Sequence, residues 1–169
     1  QHIRNLQFDH ILEAGCGTGK NTPFLASKST RLTAADFSEE MIARAIEKNS
    51  NTSVQFVQAD LTRPWLFETG HFDLVSFSLV LEHMKELDLV FAEAQRVLKP
   101  GGYLYIGELH PFKQYGGSKA RFDDGNGIFE LECFVHHISD FTNTAAQNGF
   151  MLQQLNEWFD EDNRNEPPR

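Results

Sequence analysis

Three glycines at alternate positions, Gly15, Gly17 and Gly19, directly follow a short apolar run. Glycine allows close approach of the backbone to a ligand, because a β-carbon at these positions would collide with the bound molecule. The pattern is typical of a strand–turn–helix site for a nucleotide-like ligand, although a short glycine motif alone has many false matches. The turn therefore indicates a binding site whose ligand must be identified from other residues.

Two acidic residues, Asp36 and Asp60, stand at the ends of the next two predicted strands. A carboxylate at the end of the second strand can accept hydrogen bonds from both hydroxyls of a ribose. A carboxylate at the end of the third can accept from the amino group of an adenine. Either residue alone is as easily explained as a solvated turn or a helix cap. Together, beside the glycine turn, they favour a nucleoside site.

The elements that must position these residues follow from hydrophobic periodicity. Short apolar runs alternate with amphipathic stretches, which predicts βαβ units and a doubly wound α/β fold with helices on both faces of a parallel sheet. Such a sheet binds ligands at the carboxyl ends of its strands. The predicted strands cover residues 8–13, 31–36, 54–58, 72–77, 103–109 and 150–159, and helices cover 18–27 and 87–98, with further helices after N-caps at Ser38 and Ser139.

Between about residues 110 and 137 the periodicity fails, and glycines interrupt a polar stretch. A structureless loop of this length is unusual in a compact domain unless it has a function. We interpret it as an insertion that caps the pocket within one domain spanning residues 1–169. Its aromatic residues are candidate pocket walls: Phe112, Tyr115, Phe122, Phe129 and Phe134.

Composition narrows the choice of partners. The 169 residues carry a formal net charge of −9, which disfavours a nucleic-acid substrate. The two cysteines, Cys16 and Cys133, are far apart, so we expect neither a disulfide nor a metal site, and a cytoplasmic location fits best. No apolar run approaches the roughly 18–20 residues of a membrane span, and no signal peptide is recognisable. The oligomeric state stays open.

Five segments identify a family when they are taken together. In order, they are ILEAGCGTG, AADFSEEMIARA, QADLTRPWLF, FDLVSFSLVLEH and RVLKPGGYLYI, and they span roughly residues 8–109. With them the chain resembles the class I S-adenosylmethionine-dependent methyltransferases, particularly the small-molecule branch related to ubiquinone and menaquinone biosynthesis. The resemblance implies a Rossmann-like, mostly parallel sheet of strand order 3-2-1-4-5-7-6. The chain ends where strand seven should begin, and little precedes strand one, so we expect the full-length protein to be longer.

The resemblance also implies which positions bind S-adenosylmethionine and release S-adenosylhomocysteine. They follow the first four strands and hold, in turn, the methionine end, the ribose, the adenine and the sulfonium end. These positions are Glu13, Gly15, Cys16, Gly17, Asp36, Phe37, Met41, Asp60, Leu61, Ser78 and Leu79.

The methyl acceptor is expected to be a small molecule, and its identity and the methylated atom stay open. Methyl transfer requires a general base only if the nucleophile carries a proton of high pKa. Four histidines near the expected carboxyl edge are candidates, namely His83, His110, His136 and His137, with Glu82 as a weaker one. Each is as readily explained as a helix-entry or surface residue.

Two other functions share the glycine turn. A nicotinamide-dependent oxidoreductase also begins its fingerprint with Gly-x-Gly, but it requires a third glycine where this chain has Lys20. A non-catalytic module could bind S-adenosylmethionine without transferring its methyl group. The intact cofactor motifs favour the enzyme over that module.

Overall fold

Five strands form the central sheet of the computed structural model, which describes residues 2–49, 53–117, 121–123 and 128–158. All neighbouring strands are parallel. They are β1 (Phe8–Ala14), β2 (Ser29–Asp36), β3 (Val54–Gln58), β4 (Phe72–Ser78) and β5 (Leu98–Gly107), in the order β3-β2-β1-β4-β5.

Five α-helices accompany the strands, and they are short. They are α1 (Thr22–Ala26), α2 (Glu39–Lys48), α3 (Asp88–Val97), α4 (Pro111–Tyr115) and α5 (Ile138–Gln147). Two 3₁₀ helices, His2–Asn5 and Leu81–His83, complete the helical elements of the described residues. In that part of the chain, no helix combines the length and the apolar character that a membrane crossing requires.

The side chains of β1 and β4 alternate between two apolar clusters. Leu12 and Phe77 belong to the cluster that contains Phe91 of α3, whereas Ile11 and Leu74 belong to the cluster that contains Leu25 of α1. Successive side chains of a strand point to opposite faces, so helices cover both faces of the sheet. The predicted doubly wound α/β fold is confirmed.

Helix α2 begins where the sequence predicts. Ser38 has extended backbone, and its Oγ accepts a hydrogen bond of 3.3 Å from the backbone N–H of Met41. Glu39 and Glu40 occupy the first turn, and Lys48 lies in the last, which suits the helix dipole. The cap fixes the start of α2 at Glu39, three residues after the end of β2.

The predicted sixth strand, at residues 150–159, is wrong over its described part. Residues 150–158 form no strand, and Phe159 lies outside the described residues. An apolar run becomes a strand only where its backbone pairs with a neighbour. Here the segment instead lines a cavity of about 990 Å³ along β5, with Met151 and Leu152 largely exposed.

Strand β5 begins at Leu98, five residues earlier than predicted. The preceding helix ends at Val97, one residue earlier than predicted, and Pro100, Gly101 and Gly102 lie inside β5. They coincide with an irregularity in the pairing of β4 with β5. Such a bulge accommodates residues that a regular ladder would exclude.

Two helix starts also differ from the prediction. Helix α1 begins at Thr22 rather than at residue 18, because Gly19 has a left-handed φ of +76° that no helix accommodates. Helix α5 has His137 as its N-cap rather than Ser139. The Asp140 carboxylate accepts a 2.7 Å hydrogen bond from the His137 backbone N–H, which stabilises this earlier start.

The described part of the 110–137 segment packs on the 3₁₀ helix Leu81–His83. Within this segment, strands β6 (Arg121–Asp123) and β7 (Ile128–Glu130) form a short antiparallel hairpin. Beyond it, the Phe134 N–H donates to the Glu82 carbonyl at 2.7 Å. The side chains of Phe122 and Phe129 lie outside the described residues.

Buried His10, in β1, has an unusual electrostatic environment. Its Nε2 lies 2.9 Å from Thr33 Oγ1, and its buried Nδ1 has no hydrogen-bond partner among the residues that the structure describes. Burial, followed by the charge of Arg31, lowers the pKa of His10 from 6.5 to about 4. Between these values the unfolded chain binds a proton that the folded protein excludes, so His10 destabilises the fold as the pH falls.

Replacing His10 by Asn should remove this pH dependence. The free energy of unfolding of the wild type, measured relative to H10N by urea denaturation, should fall by up to about 3 kcal/mol between pH 7 and pH 4. The difference between wild type and H10N cancels the contributions of buried acids to the pH dependence of unfolding, which have the opposite sign. His83→Asn, at a more exposed histidine, is the control. A difference that stays constant with pH would contradict the prediction.

Candidate functional site

The glycine turn sits on the end of β2. The backbone N–H groups of Gly15 and Cys16 both donate to the carbonyl oxygen of Ala35, at 2.8 and 2.9 Å. Gly15, Gly17 and Gly19 all have left-handed φ angles, of +77°, +52° and +76°. These conformations cost other residues free energy, so the alternating glycines create a tight turn at the carboxyl edge of the sheet.

The three glycines are required for different reasons. A β-carbon on Gly15 would overlap the side chain of Val80, lying 2.7 Å from its Cγ1, and one on Gly19 would lie 2.5 Å from Asn49 Nδ2. A β-carbon on Gly17 would meet nothing within 4 Å. Neighbouring side chains therefore fill the space beside Gly15 and Gly19, whereas the space beside Gly17 is open.

Asp36 connects the glycine turn to the start of α2. Its Oδ2 accepts a hydrogen bond of 2.8 Å from the Gly17 N–H, and its Oδ1 accepts one of 3.0 Å from the Ser38 N–H. The residue is only 7% exposed. Each carboxylate oxygen has a further lone pair, so the same carboxylate can accept from ligand hydroxyls. Phe37 follows, 75% exposed, and Met41 lies in the first turn of α2.

Glu13 and Cys16 are both buried beside the turn. Glu13 Oε2 accepts a hydrogen bond of 2.6 Å from Thr22 Oγ1, yet burial outweighs that bond and raises the pKa of Glu13 to about 7. Burial, together with the charge of Glu13, raises the pKa of the Cys16 thiol to about 12. Cys16 is therefore an uncharged packing residue rather than a nucleophile.

Asp60 lies where the sequence places it, two residues beyond β3, but its carboxylate is engaged locally. Oδ1 accepts from the backbone N–H and hydroxyl of Thr62, at 3.0 and 2.6 Å, and Oδ2 accepts from Arg63 Nε at 3.0 Å. These bonds lower the pKa of Asp60. The Ala59 N–H donates to the Asp36 carbonyl at 2.9 Å, which keeps the ends of β2 and β3 together, and Leu61 is buried.

The end of β4 carries the clearest backbone outlier. Leu79, directly after Ser78, has a φ of +57° and is the non-glycine residue with positive φ among the described residues. Its N–H donates to the Gly107 carbonyl at 2.9 Å, and its side chain is 55% exposed. A branched apolar residue held in the left-handed region is strained, and such strain clusters at functional sites.

The candidate histidines are held by different partners. His110 Nδ1 accepts from the Phe112 N–H at 3.1 Å, so its Nε2 carries the proton and donates to Glu157 at 2.8 Å. His136 Nε2 donates to the Met84 carbonyl at 2.7 Å. These bonds occupy both nitrogens of His110 and give His136 a role in docking the 110–137 segment.

The remaining candidates, His83 and His137, each contact a residue of the 110–137 segment. His83 Nδ1 lies 3.2 Å from the Glu132 carbonyl, to which it can only donate, so the neutral ring has an unprotonated Nε2. His137 Nε2 lies 3.0 Å from the Tyr115 hydroxyl. Glu82, the weaker candidate, is buried and accepts from Gln114 Nε2 at 3.1 Å.

Sequence reasoning missed Glu108. It follows β5 directly, and its Oε1 accepts from the backbone N–H groups of Val80 and Leu81, at 3.0 and 3.1 Å. Burial raises the pKa of Glu108 to about 7. An acidic residue directly after a strand was the signal that could have identified it. The predicted fifth strand extended to residue 109, so Glu108 was placed inside the strand rather than at its end.

Comparison with known proteins gives a family match. Residues 12–106, more than half of the 169 residues, match the family described as "Methyltransferase domain". A demethylmenaquinone methyltransferase of Clavibacter sepedonicus is 37% identical over 101 residues, which are 59% of this chain and 41% of that protein. The chain spans less than half the length of the curated relatives it matches.

Solved structures share the fold. An S-adenosylmethionine-dependent methyltransferase from Mesorhizobium loti superposes with a TM-score of 0.73 at 18% identity, over 89% of this chain and 77% of that chain. The complex of DhpI with S-adenosylhomocysteine superposes with a TM-score of 0.67 at 25% identity, over 83% of this chain and 67% of that chain.

Proposed function

The chain belongs to the methyltransferase domain family, and we propose that it transfers a methyl group from S-adenosylmethionine to a small-molecule acceptor. The resemblance drawn from the five sequence motifs is confirmed. The observation that supports the activity best is the junction of Gly17 and Asp36, where open space above a glycine adjoins a buried carboxylate.

Asp36 and its neighbours suit the ribose and adenine of this cofactor. The unused lone pairs of the Asp36 carboxylate can accept from two ribose hydroxyls while the Gly17 and Ser38 bonds persist. The exposed ring of Phe37 offers an apolar surface on the same side. Asp60 can accept from an adenine amino group only by sharing oxygens that already serve its own turn.

Glu13 and Leu79 suit the methionine and sulfonium ends. Glu13, once ionised, can pair with the ammonium group of the methionine moiety, while the Gly15–Gly17 backbone lies alongside it. Ser78 ends β4 at the same carboxyl edge, and Leu79, which follows it, exposes an apolar side chain. When bound, S-adenosylmethionine supplies an electrophilic methyl carbon activated by its sulfonium.

The residues of the chain then have to align the acceptor and exclude water. Effective molarities for well-placed reactants reach about 10⁵ M or more, so alignment can provide most of the acceleration. The 110–137 segment would cap the acceptor pocket, and Phe112 and Tyr115 of α4 are exposed apolar walls for an organic molecule. The net charge of −9 favours a small molecule over a nucleic acid.

Where the acceptor must lose a proton, His83 is the base that the geometry supports best. Its Nε2 is unprotonated in the neutral ring and lies 3.9 Å from the carboxylate of Glu82. His137, next to the Tyr115 hydroxyl, and His110, both of whose nitrogens are engaged, are the other candidates. We further propose a cytoplasmic location, as the low cysteine content of the sequence predicts.

Cofactor binding and turnover test the proposal. The protein should bind S-adenosylhomocysteine in a calorimeter and should form it from S-adenosylmethionine with at least one member of a hydroxyl, amine, thiol and carbon-acid acceptor panel. Binding of NAD without S-adenosylhomocysteine would indicate an oxidoreductase instead. Binding of S-adenosylhomocysteine with no turnover for any acceptor would favour the non-catalytic module.

The raised pKa of Glu13 predicts that cofactor affinity increases with pH. Because the ionised carboxylate pairs with the ligand ammonium and the carboxyl group titrates near pH 7, the affinity for S-adenosylhomocysteine should rise about 10-fold between pH 6 and pH 8. Glu13→Gln should bind more weakly and without this slope. Glu86→Gln, at an exposed acid, should retain it. If the affinity of E13Q still rose with pH, the titrating group would be a residue other than Glu13.

A further inference from the structure

The carboxyl group of Glu108 lies beneath the segment that joins β4 to the 3₁₀ helix Leu81–His83. One oxygen, Oε1, accepts from the N–H groups of Val80 and Leu81, at 3.0 and 3.1 Å. The other, Oε2, is buried and has no hydrogen-bond partner within the described ranges. A buried acid that devotes one oxygen to two backbone amides fixes the backbone that carries them.

The segment held in this way, residues 79–81, faces the glycine turn. The Leu79 N–H donates to the Gly107 carbonyl at 2.9 Å, so the end of β5 anchors three consecutive amides of the segment. Val80, the middle residue, fills the space beside Gly15 that a β-carbon would occupy. The hydrogen bonds of Glu108 therefore restrain the segment on one side, and the packing of Val80 against Gly15 restrains it on the other.

This arrangement also explains how Leu79 keeps its left-handed backbone. A bulky residue at a φ of +57° persists only where its surroundings determine it. The anchored amides on one side and the Val80 contact on the other provide that restraint. Glu82 is buried nearby, but its side chain faces Gln114 of α4, so it does not replace Glu108 in holding the segment.

We propose that Glu108 is a positioning residue, which clamps residues 79–81 against Gly15 and so fixes the position of Leu79 after β4. The inference rests on the proposed function, because the sulfonium end of the cofactor would lie beside Leu79. Protonated or ionised, the Glu108 oxygen can accept both amides, and so can the oxygen of a glutamine. The side chain at position 108 therefore has to accept two hydrogen bonds, and it does not have to be charged.

The test compares Glu108→Gln with Glu108→Leu, which has similar size but accepts no hydrogen bond. S-adenosylhomocysteine affinity by calorimetry should remain within about 3-fold for E108Q and fall at least about 10-fold for E108L, because binding groups must be held within about 0.5 Å of their productive geometry. Glu86→Gln and Glu86→Leu are the matched controls and should both bind normally. Equal affinity of wild type and E108L, or equal loss in E108Q and E108L, would overturn the proposal.

Amide hydrogen exchange keeps the proposal testable if E108L does not fold. In wild type and E108Q, the Val80 and Leu81 amides should exchange slowly, comparably with the amides of β4. Rapid exchange of both in the wild type would overturn the clamp. Failure of wild type to bind S-adenosylhomocysteine would instead count against the proposed function, whereas slow exchange of these amides would still support the clamp.

Discussion

Gly15→Ala should destabilise the protein by about 3–5 kcal/mol, whereas Gly17→Ala should cost only about 1–2 kcal/mol. Both alanines would adopt a left-handed backbone and carry that penalty. Only the β-carbon at residue 15 also overlaps Val80, which adds the cost of overpacking. Urea unfolding of both variants measures the difference. Equal losses would show that Val80 moves aside readily.

A double-mutant cycle locates the cause of the Gly15 effect. Truncating Val80 to Ala removes the two methyl groups that the new β-carbon would overlap, so Gly15→Ala should cost about 1–2 kcal/mol less in that background. Gly17→Ala should cost the same in both backgrounds, because its β-carbon touches no protein atom within 4 Å.

Gly17→Ala, the variant with the smaller expected loss of stability, should have the larger effect on ligand binding. The Gly17→Ala protein should remain folded and yet lose most of its affinity for S-adenosylhomocysteine, since its β-carbon enters the open space assigned to the ligand. Calorimetry on the folded variant measures this directly. Unimpaired binding by G17A would mean that the cofactor does not approach the backbone of residue 17.

Asp36→Ala should weaken S-adenosylhomocysteine binding about 10- to 150-fold, corresponding to the loss of about 1.5–3 kcal/mol of hydrogen bonds to a charged group. It should also lower stability, because the N–H groups of Gly17 and Ser38 lose their acceptor. Calorimetry and urea unfolding on the same samples separate the two effects.

Asp60→Ala is the control for Asp36→Ala. Its carboxylate serves Thr62 and Arg63 within its own turn and is more exposed, so its removal should weaken binding by less than about 1 kcal/mol. If the two variants lost similar affinity, the ribose and adenine assignments would have to be exchanged or abandoned.

Local sequence patterns predict the sheet and the residues proposed to bind the cofactor. The bounds of β1 to β4 are recovered to within two residues, because each strand is a short apolar run bounded by turn residues. The carboxyl ends of parallel strands lie at one edge of a sheet, so the topology alone places Asp36 and Asp60 at the same edge as the glycine turn.

What the sequence did not reveal depends on distant neighbours. Residues 150–158 have an apolar pattern, but a strand needs a paired backbone, which the pattern does not encode. Gly15 and Gly19 look identical to Gly17 until Val80 and Asn49 are in place. Glu108 is an ordinary acid in the sequence, and only burial against two amides gives it a role.

The contrast between the two cysteines has a practical consequence for experiments in solution. Cys16 is buried within the glycine turn, and its thiol has a pKa of about 12, so alkylating reagents should not modify it in the folded protein. Cys133 is partly accessible on the 110–137 segment, with its Sγ 3.9 Å from His83 Nδ1. A single maleimide fluorophore would therefore attach to the native chain at that one segment and report its movements during ligand binding, with no engineered residue.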